Sequence, residues 1–101
     1  MKYLEDGFIW YQSKRDLRRN GDLTESEFDF VDEIKRSCAF YFYHTDKRFI
    51  LTASYANGKE DKTPPEYYVS DLVLRKRTQM ADLDSAKDKV CNLSLINQQS
   101  I

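Results

Sequence analysis

The feature that most constrains this fold is an abrupt change in the spacing of apolar residues near Cys38. Before it, Phe28, Val31 and Ile34 recur at three-residue intervals, as on one face of a helix. After it, residues 38–44 read CAFYFYH, a run of aromatic residues that favours a strand. Because the chain passes directly from a helix to a strand, the sequence predicts an α+β fold.

A capping box marks the start of the first firmly predicted helix. Thr24 and Glu27 have the spacing at which the Thr hydroxyl accepts from the Glu amide while the Glu carboxylate reaches back. Acidic residues follow in the first turn, where the helix dipole favours them, and Lys35 and Arg36 lie near the end. These signals predict a helix over residues 25–37.

The residues after this helix predict a three-stranded antiparallel sheet. Its strands are expected at about 38–44, 48–55 and 67–76, since each segment is rich in aromatic and β-branched residues. Asn57-Gly58 and the pair Pro64-Pro65 place a loop between the second and third strands.

The register of the first two strands follows from the turn between them. A two-residue turn at residues 46–47 pairs Phe42 with Leu51 and Phe40 with Ala53, so paired residue numbers sum to 93. The face expected to pack against the helix then carries Phe40, Phe42, Phe49, Leu51 and Ala53.

The opposite face of the predicted sheet is also apolar and aromatic. Its expected members are Tyr41, Tyr43, Ile50, Tyr67, Val69 and Val73. Monomers rarely expose so large an apolar patch, so something is expected to cover it. The candidates are the N-terminal segment 8–11, a second copy or another protein, and stacked nucleic-acid bases.

The two ends of the chain complete the predicted fold. Residues 83–97 have a helical apolar stripe that begins after Asp82 or Asp84, either of which suits the N-cap. Residues 8–11, Phe-Ile-Trp-Tyr, fit either a short strand or the start of an N-terminal helix that ends at Gly21. We favour the helix.

Length and composition favour one small folded domain over residues 1–101. The chain is 41% hydrophobic and 33% charged, with a formal net charge of −1. It therefore has no overall field to hold a polyanion or an anionic membrane. Without a signal-peptide pattern or a long apolar run, the expectation is a cytoplasmic protein with no membrane contact.

Few residues are available for a metal site, a cofactor or catalysis. Cys38 and Cys91 stand far apart, and His44 is the only histidine, so no zinc site or other metal site is predicted. His44 has no recognisable nucleophile partner, and the acidic stretch 60–62 lies between turn signals rather than on a strand. We expect neither an enzyme nor a cofactor.

Basic residues provide an alternative binding role. Lys14, Arg15, Arg18 and Arg19 fall on one face of a helix, and residues 75–77, Arg75, Lys76 and Arg77, end the third predicted strand. Such clusters suit phosphate contacts and would make the chain a nucleic-acid-binding protein. Nearby acidic residues favour the simpler interpretation, a solvated and charge-balanced surface.

The leading prediction is therefore a small, non-catalytic domain that binds another protein or forms a homodimer. Inhibitors, immunity and counter-defence proteins and adaptors are of this kind. The expected contact surface is rich in tyrosine, which is enriched at interfaces. Its anchors are Tyr41, Tyr43 and Tyr67, with Trp10 and Tyr11 as alternatives if the N-terminal segment is exposed.

Replacement of Tyr43 by alanine tests this interpretation. We expect Tyr43→Ala to weaken binding of a partner by more than about 1 kcal/mol, because an interface aromatic residue loses its buried contacts. The melting temperature should stay almost unchanged. An equal loss of folding stability would instead assign the ring to the core.

Overall fold

An antiparallel sheet organises the chain, as seen in a computed structural model that describes residues 2–3, 7–43, 48–56 and 63–99. Each strand pairs with the next one in sequence, so the spatial order equals the chain order. Five strands have at least four residues, and β1 has two. The strands are β1 Lys2–Tyr3, β2 Phe8–Tyr11, β3 Ser37–Tyr43, β4 Phe49–Tyr55, β5 Glu66–Asp71 and β6 Lys76–Met80.

Three helices accompany the sheet within the described residues. They are α1 Lys14–Asn20, α2 Glu25–Asp32 and α3 Leu83–Gln99. The predicted capping box at the start of α2 is present, with the Glu27 amide 3.1 Å from Thr24 Oγ1. At the start of α3, the Ser85 amide donates to Asp82 at 2.8 Å. In the described part of the chain, no helix has the length and apolar character needed to cross a bilayer.

The α+β class is confirmed, but the prediction of three strands was wrong in detail. The predicted strand 67–76 ends at Asp71 as β5, a tight turn follows at residues 72–75, and a further strand that the sequence did not predict, β6, begins at Lys76. The chain can turn there because Arg75 adopts a left-handed backbone conformation with φ of 56°. No glycine, proline or asparagine marks this turn in the sequence, which is why the pattern suggested one continuous strand.

The preference for an N-terminal helix from residue 8 was also wrong. Residues 8–11 form β2, which pairs with β3 and sends alternate side chains to opposite faces of the sheet. The helix begins only at Lys14, because Ser13 caps it by accepting a hydrogen bond from the Asp16 amide. The predicted end at Gly21 is confirmed.

The helix predicted over 25–37 ends earlier, at Asp32. Its last turn tightens, with the amides of Glu33 and Ile34 bonded to carbonyls only three residues back. The ammonium group of Lys14 donates to the carbonyl oxygen of Ile34 and lies 3.1 Å from an Asp32 carboxylate oxygen. Lys14 thus holds the chain that leaves the helix, and β3 starts at Ser37.

The register of β3 and β4 differs by one residue from the predicted one. Phe40 pairs with Thr52 and Phe42 with Ile50, so paired numbers sum to 92 rather than 93. A shift of one residue moves every side chain of β4 to the other face. Ile50 and Thr52 therefore share a face with Phe40 and Phe42, whereas Phe49, Leu51 and Ala53 lie on the opposite face.

Helices cover both faces of the sheet. On what we term the α1–α2 face, the buried residues are Ile9, Tyr11, Leu17, Phe28, Phe30, Val31, Cys38, Phe40, Phe42, Ile50 and Leu72. On what we term the α3 face, they are Phe8, Phe49, Leu51, Val69, Ala86 and Val90. The sequence did not decide which segment covers the second face. In the structure, α3 covers it, and the N-terminal segment does not.

One consequence of this packing is a pair of buried hydroxyl groups on β4. The side chains of Thr52 and Ser54 are at most 1% exposed, and neither oxygen has a hydrogen-bond partner among the described residues. An unsatisfied polar group in a core is destabilising by about 1–3 kcal/mol.

We therefore expect Thr52→Val to raise the free energy of unfolding by about 1 kcal/mol, since valine keeps the shape and removes the unsatisfied hydroxyl. Urea denaturation measures the change. The matched control is Thr78→Val on exposed β6, where we expect a change within about 0.5 kcal/mol. A loss of stability in Thr52→Val would contradict the absence of a partner.

Candidate functional site

The candidate site is the turn that joins β5 to β6. Its two middle residues, Val73 and Leu74, are 64% and 57% exposed and are the large hydrophobic side chains that the described part of the chain leaves in solvent. We term this pair the hairpin tip. Polar residues, glycine and proline normally occupy such turns, so an apolar pair there is a departure that packing does not explain.

Every backbone N–H group of the turn is hydrogen-bonded. The amides of Val73 and Leu74 donate to Asp71 Oδ1 at 2.9 and 3.1 Å. The Leu72 amide donates to the Arg48 carbonyl, and the Arg75 amide to the Asp71 carbonyl, each at 2.9 Å. Every backbone N–H from residue 72 to 75 therefore has an acceptor, which fixes the direction in which the hairpin tip points.

Asp71 is the centre of this network. Its two carboxylate oxygens accept from Arg48 Nε and Nη2, both at 3.0 Å, in a two-point ion pair. Burial opposes ionisation of Asp71, but the bonds from Arg48 and from the Leu74 and Val73 amides outweigh it. The pKa of the Asp71 carboxyl group is consequently lowered. The Arg48 guanidinium also stacks 5.0 Å from the Phe49 ring centroid, which ties the network to β4.

The other end of the turn is held against α2. Arg75 donates to the Ser26 hydroxyl at 2.9 Å, and its guanidinium lies 5.7 Å from the Phe30 ring centroid. Leu72 points inward and is only 2% exposed, as part of the α1–α2 face core. The hairpin tip is thus a rigid projection. Asp71 holds one end through Arg48, Arg75 holds the other end against α2, and buried Leu72 packs into the core.

The predicted aromatic anchors are only partly available to a partner. Tyr41, Tyr67 and Trp10 all lie half-buried on the α3 face, where Trp10 stands opposite Tyr41. Burial raises the pKa of Tyr41, and the nearby hydroxyls of Tyr55 and Tyr67 add to the increase. The structure thus brings Tyr41 and Tyr67 together, with Tyr55 as a neighbour that the sequence analysis did not single out.

The other two predicted anchors are Tyr11, which is buried, and Tyr43, whose side chain is not described. Tyr11 is 1% exposed and belongs to the α1–α2 face core, where its ring meets Phe42 edge-on at 5.9 Å. It offers no surface to a partner, because strand alternation turns it inward. The side chain of Tyr43 lies outside the described part of the chain, so its role stays a prediction.

The predicted phosphate-binding residues mostly contact α2. Lys14 pairs with Asp32, and Arg18 lies 3.5 Å from Glu25 and stacks 4.5 Å from the Phe28 ring centroid. From the other side, Arg77 donates to the Phe30 carbonyl at 2.7 Å and lies 3.9 Å from a Glu33 oxygen. These cations, together with Arg75, hold an acidic helix against the sheet.

Three members of the basic set remain exposed without an ion pair to any described residue, namely Arg15, Arg19 and Lys76. The clusters that appeared separate in sequence therefore lie on either side of α2 and serve largely to neutralise it. This arrangement leaves less cationic surface for a phosphate backbone than the sequence suggested.

The residues considered for catalysis contribute no described site. His44, Asp46 and residues 60–62 lie outside the described residues. Among the side chains that the structure does describe, no three from the His, Cys, Asp and Glu classes converge as metal ligands would. Cys38 is buried and Cys91 is half-buried, and the two are not joined in a disulfide.

Comparisons with known proteins give no relative. No family model, no curated protein and no solved structure matches the chain significantly.

Sequence reasoning missed the hairpin tip because Val73 and Leu74 fit a strand pattern. One signal was present in Asp71, since aspartate readily bonds backbone amides two or three residues later and so starts a turn. The basic run 75–77 after the apolar pair was a second indication that the segment reaches the surface.

The carboxylate of Asp71 can be tested directly. We expect Asp71→Asn to lower the free energy of unfolding by about 2 kcal/mol at pH 7, because hydrogen bonds to a charged group contribute about 1.5–3 kcal/mol. Since the folded-state pKa is lowered, the contribution is present above the unfolded pKa of about 4 and is lost as the pH falls through the folded pKa.

Urea denaturation between pH 7 and pH 2 measures this dependence. The difference between the wild type and Asp71→Asn should shrink at each step below about pH 4. Exposed Asp88→Asn is the control and should change stability by less than about 0.5 kcal/mol. A difference that is independent of pH would show that the carboxylate charge is not responsible.

Proposed function

We propose that this chain acts by binding another protein chain and that the hairpin tip is its primary contact. The observation that supports the proposal is the exposure of Val73 and Leu74 on a turn whose every amide is bonded. A rigid surface loses little conformational entropy on binding, so its apolar contacts translate efficiently into affinity. The role is non-catalytic, of the inhibitor, immunity, counter-defence or adaptor kind.

The half-buried aromatic side chains are secondary candidates. Tyr41, Tyr67 and Trp10 are half-buried on the α3 face. They suit the margin of an interface better than its centre, because much of their area is already used within the chain. This reverses the order of importance that the sequence suggested.

The nucleic-acid alternative has weaker support. Four of the seven basic residues on which it depends contact groups of α2 or its flanking loop, namely Lys14, Arg18, Arg75 and Arg77. Binding that falls steeply with salt would be the observation in its favour.

The double variant Val73→Ser/Leu74→Ser tests the proposal. We expect capture of the partner from cells of the source organism to fall at least about tenfold, because each buried side chain contributes about 1–2 kcal/mol to an interface. Quantitative mass spectrometry of the captured proteins is the measurement. Asp88→Ser/Lys89→Ser, two exposed positions on α3, is the matched control and should capture as the wild type does.

Thermal unfolding of the same variants separates binding from folding. Because both side chains are mostly exposed, the melting temperature of Val73→Ser/Leu74→Ser should stay within about 2 °C of the wild type. Unchanged capture, or a marked fall in melting temperature, would contradict the proposal.

A further inference from the structure

The outer edge of β6 adjoins the hairpin tip and is open. Within the described residues, β6 pairs with β5 on one side, and no strand pairs with its other side. Its five side chains are exposed or half-buried. An open edge presents unpaired N–H and C=O groups to which a strand of another chain can add.

The sequence of this edge is complementary to itself. If Thr78 stands opposite Thr78 of a second, antiparallel copy, then Lys76 faces Met80 and Arg77 faces Gln79. No two like charges are opposed in this register, whereas directly opposed like charges destabilise a strand pair. At the directly opposed positions, the segment can therefore pair with its own copy without placing like charges together.

The charges that flank the strand add to this match. Residues 75–77 on one side of Thr78 are basic, and exposed Asp82 and Asp84 lie on the other side. An antiparallel arrangement brings the basic side of each copy toward the acidic side of the other. Because the arrangement is two-fold symmetric, this attraction occurs twice.

The same antiparallel arrangement gives the hairpin tip an apolar neighbour. The tip lies in the turn just before β6, and Leu83, the half-buried first residue of α3, follows β6 after residues 81–82. Pairing across the edge brings the tip of one copy alongside the start of α3 in the other. The exposed side chains of Val73 and Leu74 then gain an apolar neighbour.

Charged side chains often guard an open edge against pairing, but Arg77 is committed elsewhere. Its guanidinium donates to the Phe30 carbonyl and stacks 4.5 Å from the Phe30 ring centroid on the α1–α2 face. It also donates to Ser70 at 3.2 Å. Arg77 is thus held over the α1–α2 face, so it does not cover the outer backbone edge of β6, while its charge stays at the position that faces residue 79 of a second copy.

We propose that the partner bound by the hairpin tip is a second copy of this chain, which adds its β6 antiparallel to β6 about a two-fold axis at Thr78. The two sheets then form one continuous sheet. This inference rests on the proposed function, since it assigns an occupant to the same surface. A second copy is favoured over an unrelated strand because the segment matches itself in both charge and register.

A matched pair of variants at Gln79 tests the register. Gln79 is exposed, so changes there should leave the fold intact. Gln79→Arg places two cations opposite each other at two symmetric positions, and we expect the dimer to dissociate about threefold to thirtyfold more readily. Gln79→Glu places an acid opposite Arg77 and should tighten the dimer by a similar factor.

Sedimentation equilibrium of the full chain in reducing buffer gives the dissociation constants. The wild type should reach twice its chain mass of 12.0 kDa as concentration rises. Lys89→Glu on the exposed side of α3 is the charge control and should behave as the wild type does. Salt should reduce the difference between the two Gln79 variants.

A disulfide across the axis provides a second, geometric readout. Directly opposed residues of antiparallel strands have Cα atoms about 4.5–5.5 Å apart, which a disulfide can span. In a Cys91→Ser background, Thr78→Cys should form a covalent dimer under mild oxidation, whereas exposed Lys89→Cys should not.

The outcomes separate this inference from the proposed function. A chain that stays monomeric, or a dimer that ignores the Gln79 variants and does not cross-link at position 78, overturns the second copy as the partner. The proposed function then still stands if Val73→Ser/Leu74→Ser abolishes capture of a different protein. If that variant changes neither self-association nor capture, both are overturned.

Discussion

Burial of β3 and β4 on both faces is the constraint on which the rest of this structure depends. A strand enclosed on both sides cannot show the simple alternation of apolar and polar residues, because each face needs apolar side chains. β4 is buried from Phe49 to Ser54, and Tyr55 alone is half-buried. Two helical layers are then required, and the chain supplies α1 and α2 for one face and α3 for the other.

Many of the charged residues stabilise this layered arrangement by pairing with one another. The helix α2 is short and acidic, and such a helix gains little stability from its own hydrogen bonds. Cations from α1 and from the β5–β6 hairpin pair with it and stack on Phe28 and Phe30. This internal pairing explains why basic clusters that suggest phosphate binding in the sequence are largely occupied.

The side chains of the hairpin tip, in contrast, do not stabilise the packing of the helices on the sheet. The bonds around Asp71 hold a turn in which two apolar side chains face solvent, although serine or aspartate would fit the same turn without exposing hydrophobic area. Val73 and Leu74 contribute little to the core, and no strand of the described residues pairs with the neighbouring outer edge of β6. A rigid apolar projection beside an unpaired edge is the surface of this chain best suited to another polypeptide.

The sequence by itself determined the α+β class, the capping box of α2, the start of α3 and the end of α1 at Gly21, because these depend on local hydrogen bonds and on helical spacing. The tertiary structure alone decided the register of β3 and β4, since the patterns with sums of 92 and 93 both bury apolar side chains when each face is covered. It also decided that residues 8–11 form a strand, because their pairing partner, β3, lies some thirty residues away in sequence. The last predicted strand ends at Asp71 through local bonds to the Val73 and Leu74 amides and through an ion pair with Arg48, and only the second is a contact between distant residues that no local pattern records.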